Sequence, residues 1–239
     1  MGLLQEEGVD RVHHYAPLHY LPFIARDRAL LTKPSLAAKG FGSRHLRSKS
    51  SRHDVARGFG KYAFLTLERH PKILEAKLKG GFPHMDIIVP PEAVENTEFD
   101  LCRYNVAMTR YLRRAGSPGF PESASNGRYY DDHQIPVART ASDKRAMLQR
   151  HYDKTMIEVL LHQNLHMPDD TCVQVYSPDD EALAKTTLQA LQSPWTVELV
   201  APPGPYPKSQ DYAQEVDEYI KKALDDPTWL GNGLEFDKV

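Results

Sequence analysis

Met156-Ile157-Glu158-Val159-Leu160-Leu161 sets a single carboxylate inside an otherwise apolar run. The run reads as a strand over 155–161. Alternation then puts Ile157, Val159 and Leu161 on one face and Met156, Glu158 and Leu160 on the other. A carboxylate among such neighbours is costly to bury unless it is paired or has chemistry to perform. Glu158 is therefore the first candidate for a functional side chain, against the plainer reading that it faces solvent or pairs with a nearby Arg.

The pattern downstream of this run is well marked. Thr171 to Tyr176 alternates as a strand. Ser177-Pro178-Asp179-Asp180-Glu181 predicts a helix start, with a capping hydroxyl, proline at the first position and acids on the helix dipole. That helix runs to about Gln192, and Trp195 to Val200 returns as a strand. Pro202 to Pro207 is a linker, after which Tyr212, Val216, Tyr219, Ile220 and Ala223 stripe a last helix. Upstream, Ser142 is placed to cap a helix ending near Tyr152.

The N-terminal half mixes strands and helices in the same way. Val12 to Tyr15 is a short strand, and Leu18, Leu21, Ile24 and Ala25 share one face of a following helix. Residues 39–61 read as a loop, Tyr62 to Leu67 as a buried strand, and Pro71 opens a short helix that stops at Gly80-Gly81. Met85 to Val89 is another strand. Residues 99–114 predict an amphipathic helix with Phe99, Cys102, Val106 and Leu112 inward. A Gly/Pro/Ser/Asn-rich loop from Ala115 to Val137 carries Arg128-Tyr129-Tyr130. Elements in this order predict an α+β fold, with one domain over 1–200. The remainder, 201–239, is a linker and an amphipathic helix packed on the domain or on a partner.

Composition narrows the classes. The chain has 239 residues, 41% hydrophobic, enough for a sizeable core. No apolar stretch approaches the roughly 20 residues needed to cross a bilayer, and the N-terminus lacks a secretory pattern, so a soluble, cytoplasmic protein with no membrane partner is expected. Two Cys 70 residues apart give neither a disulfide framework nor a cysteine-ligated metal. His162 and His166 are four apart, as helical metal ligands are, but Asn164 and Pro168 predict a turn and no zincin pattern surrounds them, so no metal is expected. Phosphate-cradling glycine motifs and the nucleophile elbow of hydrolases are also absent.

The net charge of −2 conceals an asymmetry: residues 1–115 hold 19 Lys+Arg against 12 Asp+Glu, and residues 116–239 hold 11 against 20. Lys39, Arg44, Arg47, Lys49, Arg52, Arg57 and Lys61 face one acid, Asp54, within 39–61. Such a run suits a phosphate-rich ligand, or is simply a solvated loop.

Three blocks taken in order resemble the DarT-type ADP-ribosyltransferases. The first is His14-Tyr15-Ala16-Pro17-Leu18-His19-Tyr20-Leu21-Pro22-Phe23-Ile24, a His-containing strand followed by a helix of Leu-Pro-x-Ile type. The second is Tyr62-Ala63-Phe64-Leu65-Thr66-Leu67 with Arg69-His70-Pro71. The third is Ile157 to Leu161 with Met167-Pro168 and the strand-helix-strand ending. Together they run from about residue 12 to 200. Departures are Ala16 where the family has Thr, Tyr20 where it has Asn, and Met156 in place of the upstream acid or amide of arginine-modifying toxins.

The resemblance implies an ADP-ribosyltransferase-like split β-sheet core with flanking helices, NAD+ as co-substrate, and mono-ADP-ribosyl transfer to a base of single-stranded nucleic acid. By position it implies Glu158 as the catalytic carboxylate and His14 as a ribose contact. It also implies an NAD+-binding Arg in the interval holding Arg44, Arg47 and Arg52; Arg47 and Arg52 are the expected ones. A toxin restrained by an antitoxin protein follows by the same analogy. Arg128-Tyr129-Tyr130 and the Arg110 to Arg114 segment then supply stacking and backbone contacts to nucleic acid, or the tyrosines pin a long loop to the core. The alternatives are the same fold acting on protein or a small molecule, an RNA 2'-phosphotransferase-like activity, or a non-enzymatic interaction module with a structural Glu158.

Overall fold

The computed structural model describes residues 2–41, 58–67, 72–103, 137–152, 154 and 156–229. Arg44, Arg47 and Arg52, the Arg69-His70-Pro71 segment, the Arg110 to Arg114 segment and Arg128-Tyr129-Tyr130 lie outside the described residues.

Ten strands are described: β1 (Val12–Pro17), β2 (Ala29–Leu30), β3 (Ala63–Thr66), β4 (His84–Val89), β5 (Phe99–Arg103), β6 (Val137–Ala138), β7 (Ile157–Leu161), β8 (Leu165–His166), β9 (Cys172–Val175) and β10 (Thr196–Leu199). Eight of them form one sheet in the order β10-β9-β4-β1-β3-β7-β5-β6, and β2 pairs with β8 separately. Every pairing is antiparallel except β9 with β10. The helices are α1 (Leu3–Glu6), α2 (Leu21–Asp27, entered through a single 3-10 turn at Leu18–Tyr20), α3 (Lys33–Ala38), α4 (Lys72–Leu78), α5 (Pro91–Glu95), α6 (Ala141–His151), α7 (Pro178–Ala190) and α8 (Gln210–Asp225).

The sheet is two four-stranded halves joined at a seam. β1 runs in register with β4 from Val12↔Val89 to Pro17↔His84, and β3 with β7 from Ala63↔Leu161 to Thr66↔Glu158. Between β1 and β3, however, the register holds one pair, His13↔Thr66. Beyond that bridge the halves part, which is the split sheet expected from the sequence blocks.

Side-chain alternation divides the two faces. Val12, Ala16, Leu65, Met85, Ile87, Leu101, Ile157, Val159, Leu161, Val173 and Val175 belong to the main core, with α7 adding Ala184 and Leu188 and α8 adding Val216 and Ile220. Burying each such aliphatic side chain contributes roughly 1.5–3 kcal/mol. Tyr219 and Ala223 of α8 pack on Phe23 and Phe41 in a second cluster. The last helix therefore completes the domain's own core.

Local chemistry explains the boundaries. Ser177 accepts from the Asp180 N–H to cap α7, and Pro178 follows it. At α6 the cap is Thr140, whose hydroxyl accepts from the Asp143 N–H, so the helix begins one residue before Ser142. After α4 the chain turns at Gly81 with φ +73°, where its carbonyl accepts from the Ser209 N–H at 3.1 Å and ties the linker to the domain. One expectation is overturned. Residues 99–103 are strand β5, not the start of a helix, and residues 104–114 lie outside the described residues. Phe99 and Leu101 alternate onto the core face, and Cys102 lies on the opposite face instead of on an inward helical stripe.

Candidate active site

β7 is buried at all five positions. Its core-face residues Ile157, Val159 and Leu161 join the main cluster, whereas Glu158 and Leu160 are buried on the other face. Glu158 is 6% exposed. Register places it between Thr66 of β3 and Cys102 of β5, and directly opposed residues project to the same face. Thr66 is in turn the residue that bridges to His13. One row thus crosses the seam: His13, Thr66, Glu158, Cys102. With neighbouring strands about 4.8 Å apart, the backbones of His13 and Glu158 stand about 10 Å from one another, with Thr66 between them.

The two histidines occupy the opposite lip. The His14 Nδ1 lies 2.9 Å from the Phe64 carbonyl across the seam. A carbonyl can only accept, so Nδ1 donates. Burial pushes the His14 pKa below its ordinary value against the opposing pull of that carbonyl, leaving a neutral ring whose Nε2 is an acceptor. His13 directs Nδ1 to the Asp86 carboxylate at 2.8 Å. Asp86 is 3% exposed. Lys33, at the start of α3, holds its ammonium 5.2 Å from the centre of the Phe64 ring.

A second polar group lies on the Glu158 face nearer β6. Asp100 pairs in register with Leu160 and is buried. Its Oδ2 is 2.9 Å from His162 Nε2, and the His162 ring meets Tyr62 edge-on at 4.9 Å. His166, by contrast, is exposed in β8. Among the described residues no group of three or more His, Cys, Asp or Glu could hold a metal ion. No helix among them is long and apolar enough to cross a membrane.

Of the expected site residues, Glu158 and His14 are described and lie in opposite half-sheets, with His13 rather than His14 on the Glu158 face; Arg47 and Arg52 are outside the described residues. Sequence reasoning did not single out Asp86, Thr66 or Asp100. The signal for Asp86 was present: Met85-Asp86-Ile87-Ile88-Val89 buries one acid in an apolar strand just as Met156 to Leu161 does.

No protein-family model matches the chain, and no curated protein does. Solved structures do. Thermus sp. 2.9 DarT in complex with ADP-ribosylated ssDNA superposes with a TM-score of 0.52 at 11% identity, over 80% of this chain and 94% of DarT. The chain has the DarT fold. The same protein in complex with NAD+ gives a TM-score of 0.51 at 11% identity, over 80% of this chain and 96% of DarT. The resemblance expected from the three sequence blocks is thus borne out at the level of the fold, with nearly all of DarT spanned.

Proposed function

We propose that this chain is an NAD+-dependent mono-ADP-ribosyltransferase whose acceptor is a base of single-stranded nucleic acid. The observation that carries the reading is Glu158, buried beside the seam of a split sheet in the row that leads through Thr66 to His13 of the other half. DarT, which shares this fold, binds NAD+ and ADP-ribosylated ssDNA in its complexes.

The chemistry asks little else of the protein. The bond from ribose C1 to the nicotinamide nitrogen breaks, and its electron pair neutralises the pyridinium, so the leaving group needs no acid and no metal. Positive charge then grows on the ribose, as in glycoside cleavage. A carboxylate held on a rigid strand stabilises that charge without reorganising. The acceptor's nitrogen or oxygen forms the new bond to C1, and its proton passes to Glu158. His14 Nε2 accepts from a ribose hydroxyl, while Arg47 and Arg52 bind the diphosphate. Uncontrolled modification of bases would poison a cell, and this supports a toxin partnered by an antitoxin.

The test is nicotinamide release from NAD+ by the full chain and its Glu158→Gln variant, with single-stranded DNA, RNA or lysate protein as acceptor. Release by wild type alone, stimulated by DNA or RNA, is expected, with a loss of at least about 100-fold in the variant. Stimulation by protein only would move the acceptor to a side chain. No release with any acceptor would overturn the transferase reading in favour of an interaction module.

A further inference from the structure

The Asp86–His13 pair is not what sets the register of its two strands. β1 and β4 are already fully in register along six residues. A buried carboxylate carries a desolvation cost that packed apolar groups avoid, so such a pair is weak support for stability. Moreover, Asp86 Oδ1 is buried and accepts no hydrogen bond among the described residues. What the pair does accomplish is geometric. Asp86 accepts from His13 Nδ1, which fixes the tautomer and turns Nε2 to the far side of the ring. His13 is the residue at the bridge between the half-sheets, its side chain 18% exposed, in the row that leads through Thr66 to Glu158.

We propose that Asp86 is a positioning residue for ADP-ribosyl transfer, acting through His13, whose Nε2 accepts a hydrogen bond from the bound NAD+ on the side opposite Glu158. The proposal rests on the transferase reading above. It gives the Glu158 face of β1 its own contact to NAD+ and assigns the buried acid of β4 a purpose. The charged and titratable groups near His13 among the described residues include Tyr15 on the same strand, its ring centre 6.0 Å from that of His13; His14 beside it; Asp86 on β4; Cys172 on β9 and Tyr176 just after it, which both feel the Asp86 charge; Glu158 along the row; and Lys77 of α4, whose charge acts on His14 and His84.

The experiment combines a double-mutant cycle with a direct view of the ring. Nicotinamide release is measured for wild type, Asp86→Asn, His13→Gln and the double variant, with Glu158→Gln as the inactive control. Asp86→Asn is expected to lower kcat about 10- to 100-fold with KM changed less than about threefold, and to add nothing in the His13→Gln background. Ring 15N shifts of His13 should report a proton on Nδ1 in wild type and a tautomer mixture in Asp86→Asn. An Nε2–H tautomer in wild type, or an equal loss from Asp86→Asn in both backgrounds, overturns the proposal while leaving the transferase reading intact. Absence of turnover in wild type removes both.

Discussion

Acid should destabilise this protein through His84 before its carboxylates titrate. The His84 ring is buried, its Nδ1 donates to the Phe82 carbonyl at 3.0 Å, and the Phe82 ring meets it edge-on at 5.7 Å. Burial, aided by the Lys77 charge and opposed by that carbonyl, pushes its pKa from 6.5 to about 3. Between those values the unfolded chain binds a proton that the folded chain refuses. Stability from this group is therefore complete above pH 6.5 and falls as the pH is lowered towards 3. Each unit costs about 1.4 kcal/mol, so about 2 kcal/mol is lost by pH 5. His19 acts in the same direction, its pKa lowered first by burial and then by His84. Urea unfolding of wild type and His84→Asn at pH 7, 6 and 5 tests the reasoning. The Asn side-chain amide can replace the Nδ1 donor without titrating, and carboxylate effects common to both proteins cancel in the difference. Wild type should lose about 2 kcal/mol more than the variant between pH 7 and pH 5. Parallel losses in the two proteins would refute the assignment.

Two further outcomes are fixed by packing. Gly81→Ala places a Cβ 2.5 Å from the Pro207 carbonyl oxygen at a φ of +73°. It should cost on the order of 1–3 kcal/mol and lower Tm by several degrees in a calorimetric scan. Ile220→Ala removes a side chain 1% exposed in the main core and should cost about 2–5 kcal/mol by urea unfolding. If α8 were only an appendage, that substitution would leave the midpoint unchanged.

Much of the fold was legible because most elements carry their own signals. Ser177-Pro178 announces α7, and Tyr212 to Ala223 stripes α8 with the residues that are in fact inward. The failure at β5 has a physical cause. In Phe99-Asp100-Leu101-Cys102-Arg103 both sheet faces are buried, so the polar-out alternation that identifies a strand is blurred by an apolar Cys102 on the second face. The spacing of Phe99, Cys102 and Val106 then fits a helix as well as a strand.

The site was legible only in its parts. Glu158 was visible as a residue out of place and His14 through the resemblance, but the row that joins Glu158 to His13 is made by register between strands far apart in the chain. His13 and Asp86 are 73 residues apart, and neither periodicity nor propensity specifies which half-sheet meets which. What the completed sheet reveals is a division of labour. One face carries Val12, Leu65, Ile87, Leu101 and Val159 and is the hydrophobic core. The other carries His13, Asp86, Thr66, Glu158 and Asp100. An antiparallel sheet with water on its second face would have let these groups be exposed, yet Asp86, Thr66, Asp100 and Glu158 are each 6% exposed or less. Desolvating so many polar groups on one face costs stability whatever they do, so on the proposed transferase reading they are kept for the chemistry at the seam and not for the fold.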